Sequence, residues 1–473
     1  MMEKLKELDN NNQILVKETE EQKKEEAQLD KPITTKFLLV FTIPTILSFI
    51  VMGIFGLIDG LFATRRISVE ALSAVNTVMP FFTFAMSLGS MLAMGGSALI
   101  AKKMGAGKKL EARQNFTLIT IVTLITSGVI SLISWFFTTP LLNLLGTDAH
   151  IFDIALEYIQ PIIIFLPFVM LGMILVQFLI TEGKPVLSAI VSTSGAILNT
   201  LLNVLFLFVF DMGIVGLALA TGIGYAVPTL IGLYYFGVLR NGTLYLVKPK
   251  FDFKALFHSI TNGLSEGVTM LEGAVTTVVM NNTLVRLVGF EGVASAGIVM
   301  AIQGIFASLF FGYASGIAPV ISFNFGKENT ERLQLLFKKS MYMVAVLSLL
   351  GFIGVQLFAS QLVEIYVPYG SEFHTMTVRG LRLSVFGFLL MGYNVFAPAM
   401  FTAFNNGPVS GFLSFMRSLV FTLVPLVLLP RMFDLNGVWL AIASIEVLTI
   451  FVSVLLMVKF GKKYQYLKER VAV

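Results

Sequence analysis

The chain has 473 residues, of which 56% are hydrophobic and 13% charged, about half the charged share of an ordinary soluble domain. This composition excludes a soluble globular enzyme and predicts an all-α polytopic membrane protein. There is no cysteine, so disulfides and thiolate metal sites are excluded. The formal net charge is +5, and its distribution matters more than its sum.

Met1 to Lys31 holds six lysines and nine acidic residues, too polar for a secretory or transit signal. Residues 1–36 are expected to form a charged, disordered cytoplasmic tail. From Phe37 onward, apolar runs long enough to cross a hydrocarbon core of roughly 30 Å recur. Twelve spans are predicted, at 37–62, 71–101, 116–137, 156–180, 186–210, 213–239, 257–288, 292–323, 336–360, 377–403, 408–430 and 436–458. Nineteen Lys and Arg residues fall on one side of this arrangement and six on the other. The excess marks the cytoplasmic side and puts both termini there.

The spans repeat. Gly183-Lys184-Pro185 resembles Asn406-Gly407-Pro408, and FDMGIVGLALA from Phe210 resembles FDLNGVWLAIA from Phe433. The offsets agree, since 408 minus 185 and 434 minus 211 are both 223. MGAGKKLEARQ from Met104 answers NFGKENTERLQ from Asn324 at about 221. The expected architecture is two six-helix lobes related by an internal repeat. Residues 37–239 form the N-lobe, 240–256 a basic cytoplasmic linker, 257–460 the C-lobe and 461–473 a cytoplasmic C-terminal tail. Facing repeats frame a cavity suited to alternating access.

Ionisable residues inside spans are costly, at roughly 2.5–3.5 kcal/mol each on insertion scales, and so become functional candidates. Four acids qualify: Asp59 in the first span, Glu266 and Glu272 in the seventh, and Glu446 in the twelfth. Arg417 is the one basic residue deep in a span. Arg417 and Glu446 lie at similar depth on neighbouring antiparallel spans and are expected to form a structural ion pair. Asp59 leads as an ion-coupling residue, with Glu266 and Glu272 as second-lobe candidates. Glu266 and Glu272 are six residues apart, hence about 120° apart around the helix. Asn76, Gln177, Asn199, Asn203, Asn281 and Gln303 are candidate polar residues of a cavity. No phosphate loop, HExxH motif or other catalytic constellation is present, so pumping would have to draw on an ion gradient.

The helix from Pro44 to Asp59, the Gly105 to Arg113 loop, the Glu182-Gly183-Lys184-Pro185 turn and the Asp211 to Thr221 stretch together resemble the multidrug and toxic compound extrusion (MATE) family. The run Gly316 to Ser322 resembles its MepA-like branch. The resemblance covers about Thr35 to Gly461. It implies a secondary antiporter of the inner membrane that exports amphipathic, often cationic compounds in exchange for protons or sodium, without cofactor, nucleic acid or partner subunit. Asp59 occupies the position of the family's first-helix aspartate. Asn199 and Asn203 stand where an Asn and a second Asp often occur, so one carboxylate has become an amide. Protons are slightly preferred over sodium, because a lone carboxylate flanked by amides suits protonation better than a multi-oxygen cage. A flippase for a lipid-linked precursor, whose family shares the lobed plan, is the alternative, and a passive channel a further one. The flippase would need a strongly cationic cavity.

Overall fold

The computed structural model describes residues 28–467. Ten stretches among them are long and apolar enough to cross a membrane. One of these, Gly407–Gly461, is broken at Asp434 (φ 49°, ψ −132°) into two antiparallel helices. Phe253–Val288, a more polar helix, completes the twelve. In chain order α1 is Thr35–Phe62, α2 Val69–Gly105, α3 Lys109–Phe136, α4 Phe152–Thr181, α5 Pro185–Val204 and α6 Gly213–Tyr234. Then come α7 Phe253–Val288, α8 Phe290–Gly326 and α9 Thr330–Glu364. Helix α10 runs over Glu372–Ala403 through a tight turn, and α11 and α12 are the two arms of Gly407–Gly461. A short helix, Thr138–Leu144, precedes α4.

Main-chain geometry repeats with the sequence. Helix α2 ends with Gly107 left-handed (φ 75°), and α8 with Glu328 (φ 56°), 221 residues later, in the same turn. Asp211 (φ 50°) and Asp434 (φ 49°) match at 223. The turn before α5 differs from the sequence alignment. Its left-handed residue is Gly183 (φ 89°), whose counterpart before α11 is Asn405 (φ 57°), not Asn406. The hydrogen bonds agree: Gly183 N–H donates to Ile180 O and Asn405 N–H to Thr402 O. The offset there is 222, because Asn tolerates the left-handed region that glycine enters freely.

The lobes share one apolar core on the half of the molecule where α1 begins and α12 ends, the termini side. Leu38, Phe116 and Phe178 belong to it from α1–α6, and Tyr313, Leu336 and Phe401 from α7–α12. On the opposite, distal half the cores separate. One is built around Phe81, Ile162 and Leu217, the other around Val299, Leu381 and Trp439. Lipid offers no hydrophobic drive between helices, so close association needs small residues. The seam has them in repeat-related pairs. A Cβ on Gly105 would overlap the carbonyl of Phe323, and one on Gly326 the carbonyl of Lys102. Likewise Gly263 of α7 abuts Met91, and Gly312 of α8 abuts Ile46. Among the glycines, Gly53 still approaches the other lobe, its added Cβ lying 3.5 Å from Ser308 Oγ, whereas Gly56, Gly60 and Gly304 face open space. The molecule is therefore closed on the termini side and cleft on the distal side.

Residues 28–34 correct the expectation of a disordered tail through residue 36. Leu29 and Ile33 are buried in the shared core. Asp30 pairs with Lys327 on the α8–α9 turn at 2.7 Å and with Arg332 in the first turn of α9. The remainder of that expectation, residues 1–27, lies outside the described residues, as do 468–473 of the C-terminal tail.

Candidate functional site: two ionic clusters beside the cleft

Asp59 lies near the distal end of α1, six residues past Gly53, and is half-buried. Asn203 Nδ2 donates to Asp59 Oδ1 at 2.6 Å. The same amide reaches Asn199 Oδ1 at 3.4 Å, and Asn199 Nδ2 reaches Thr221 Oγ1 at 3.4 Å. Asn199 and Asn203 share a face of α5 because they are four residues apart. Their amides thus line up beside one carboxylate. Asn203 is fully buried, and its Oδ1 has no hydrogen-bond partner among the described residues. An unpaired amide oxygen next to a carboxylate is an acceptor pair that a cation, or a proton shared with the acid, would complete.

The second cluster lies in the C-lobe. Arg417 Nη2 meets Glu446 Oε1 at 2.7 Å, and Arg417 Nη1 meets Glu272 Oε2 at 3.0 Å. The α7 glutamate is therefore joined to the α11–α12 pair, a contact that depth along single helices could not supply. A π-turn over Met416–Val420 carries the guanidinium, and such turns often occur at functional sites; Thr422 Oγ1 closes it on the Arg417 carbonyl at 2.8 Å. Ser418 Oγ donates to Glu272 at 3.0 Å, and Asn394 Nδ2 to Glu446 Oε2 at 2.7 Å. These groups border a cavity of about 300 Å³ whose apolar wall includes Met270, Met280, Met300 and Met391, with Gln303 at its side. Among the described residues, Arg417 Nε is the buried atom of the cluster that has no hydrogen-bond partner.

The other candidates are dispersed. Glu266 is half-buried on α7 and has no hydrogen bond or ion pair among the described residues. Asn76 is exposed and Asn281 half-buried. Gln177 does not line the C-lobe cavity. It is buried on the termini side, where Ser315 Oγ donates to its Oε1 at 2.8 Å and ties α4 to α8 across the seam. Asn394 counts by sequence among the polar span amides that could complete a site, but its anchoring of Glu446 was not anticipated, and neither was Thr221. Both carry ordinary helix-interior signals, and only packing singles them out.

The arrangement is therefore two lobes around a one-sided cleft, each with an acid held by amides or by a guanidinium. The MatE family pattern matches residues 44–205 and 268–428, one segment in each lobe. The multidrug export protein MepA of Staphylococcus saprophyticus is 25% identical over 87% of this chain and 89% of its own length. A MATE crystal structure in complex with MaL6 superposes with a TM-score of 0.88 at 21% identity, covering 94% of this chain and 100% of that one. An outward-facing multidrug resistance MATE transporter of the MOP superfamily gives 0.87 at 22% identity over 93% and 99%. Twelve helices in two repeated lobes and a family pattern that spans both lobes lead to one conclusion: the chain is a membrane transporter of the MatE family and not an enzyme.

Proposed function

We propose that this chain is a multidrug efflux antiporter. It exports amphipathic, often cationic organic compounds through alternating access of its two lobes, driven by inward flow of protons in preference to sodium. We assign the N-lobe to 37–239, the linker to 240–256 and the C-lobe to 257–460. Both termini are on the cytoplasmic side of the cell's inner membrane, so the cleft faces outward, and the protein works as a monomer without cofactor.

The observation that carries this reading is the Asp59 cluster. A single carboxylate stands beside an unpaired, fully buried amide oxygen, on the lobe that lines the open side. Protonation of Asp59 from outside removes the charge that attracts a cation and releases it. Loss of the proton inward restores it. Glu266, without a partner among the described residues, is the second-lobe coupling candidate. Glu272 is a weaker one, since Arg417 already neutralises part of the charge it shares with Glu446. The lipid-linked flippase is not favoured, because Arg417, the guanidinium in the cavity wall, is engaged by two carboxylates and leaves little positive field for a pyrophosphate.

Efflux of ethidium from cells or everted vesicles, with proton and sodium gradients imposed separately, tests the reading. Wild type should move dye uphill under a proton gradient, and Asp59→Asn, equally expressed, should not. Uphill movement under sodium alone would replace the ion. Dye movement without any gradient would replace the antiporter with a channel, and full activity of Asp59→Asn would shift coupling to Glu266.

A further inference from the structure

A cavity of about 470 Å³ opens on the distal face, between the end of α9 and the start of α10. Its wall presents Ser360, Tyr369, His374, Thr375, Arg379 and Arg382. Every one of these polar side chains can donate a hydrogen bond, and no carboxylate lines the cavity. Arg379 and Arg382 are exposed, sit three residues apart on one face of α10, and have no ion-pair partner among the described residues. The wall behind them is fixed. The His374 ring is 5% exposed, bonds the Ser360 carbonyl at 3.3 Å and packs edge-on against Tyr369 at 5.2 Å. Gln356 Nε2 holds the Arg382 carbonyl at 3.0 Å.

The surroundings indicate depth. Ile365, Tyr366 and Tyr369 are all exposed at the rim, and Phe358 and Phe386 are exposed just below on the same two helices. Exposed tyrosines above an apolar strip mark the membrane–water interface. Glu364 and Glu372 are exposed beside the rim, but neither lines the wall, and the two guanidinium groups that do match the tetrahedral oxygens of a phosphate, which arginine binds bidentately.

The geometry points to a binding site for a phosphate-bearing anion, namely the headgroup of an anionic phospholipid in the leaflet at the distal face, with its chain along Phe358 and Phe386. It rests on the membrane-spanning arrangement and not on the export reading, so dye efflux and lipid binding fail independently. The absence of cysteine allows a clean test. A Thr375→Cys chain is placed in nanodiscs of phosphatidylglycerol or of phosphatidylcholine, and the rate of maleimide labelling from water is measured. Phosphatidylglycerol should slow labelling by about tenfold, which corresponds to roughly nine-tenths occupancy. Arg379→Gln with Arg382→Gln in the same chain should remove that protection while the thermal midpoint stays unchanged. Native mass spectrometry should then count one retained phosphatidylglycerol fewer in the double variant. Equal protection by inorganic phosphate in phosphatidylcholine discs would keep the phosphate chemistry and overturn the lipid as its source. Equal rates in both lipids, or protection that survives the double variant, would overturn the site.

Discussion

Removal of the Arg417 guanidinium should be the most damaging single change in the C-lobe. The side chains of Arg417, Glu446 and Glu272 are 9%, 4% and 16% exposed. Breaking one partner of a buried ion pair strands the other at about 3–5 kcal/mol. Arg417→Met strands two carboxylates at once and should cost at least the upper end of that range. Glu446→Gln leaves Arg417 with Glu272 and should cost about 3 kcal/mol. Glu272→Gln leaves the shorter pair intact and removes one charge-assisted bond, about 1.5–3 kcal/mol. When all three are replaced, by Met and two glutamines, no charge is left buried, and the loss should fall back to within about 2 kcal/mol of wild type. Reversible unfolding in mixed micelles, followed by fluorescence of the buried Trp439, gives the four values. An Arg417→Met loss no greater than that of Glu272→Gln would refute the reasoning, as would a triple variant no better than Arg417→Met.

Two smaller perturbations probe closure on the termini side. Gly105→Leu inserts a side chain where even a Cβ overlaps the Phe323 carbonyl. It should force the lobes apart there, raising maleimide labelling of a single cysteine at Ser259 several-fold at unchanged expression, whereas equal labelling would disprove the tight seam. Asp30→Ala removes the ion pairs to Lys327 and Arg332, whose side chains are 43% and 25% exposed. Screening at such a site limits the loss to about 0.5–1 kcal/mol; the difference from wild type should vanish at molar salt, and a salt-independent loss would show that Leu29 and Ile33 hold the segment without it.

What sequence could reveal follows from what each signal encodes. Spans and lobes were legible because both rest on local properties, apolar length and a repeated turn. The exchange of Asn405 for Asn406 arose because alignment matched letters, Gly-Lys-Pro against Asn-Gly-Pro, while the turn selects the residue that can take positive φ. Asp59 stood out by cost alone. Its bond to Asn203 joins residues 144 apart in sequence, and no periodicity on α1 or α5 encodes that. Glu272 and Arg417 are similarly 145 apart. Six-residue spacing correctly separated Glu266 from Glu272 on α7 but was silent on which one α11 would meet. Gln177 looked like a cavity residue because polarity in a span is read the same way at a seam as at a pocket.

The repeat duplicates the scaffold and not the chemistry. Gly263 against Met91 and Gly312 against Ile46 are one contact seen twice, so α1 and α7 correspond at 263 minus 46, or 217. At that offset Asp59 answers Thr276, on the wall of the C-lobe cavity. At the 222 and 223 offsets found beside α5, Asn203 answers Pro425 or Leu426, neither of which has a side-chain amide to donate. Arg417 in turn answers Gly195 or Ser194, and at Gly195 a Cβ would overlap the carbonyl of Gly224, leaving no space for a guanidinium. A carboxylate moved to the equivalent C-lobe position therefore lacks its amide support. Thr276→Asp should cost about 2.5–3.5 kcal/mol, the price of an unsupported charge in a span, and should not restore dye efflux to Asp59→Asn. Recovery of gradient-driven efflux in the double variant would show that a carboxylate at this depth suffices in either lobe, and that the amides beside Asp59 are packing rather than part of the ion site.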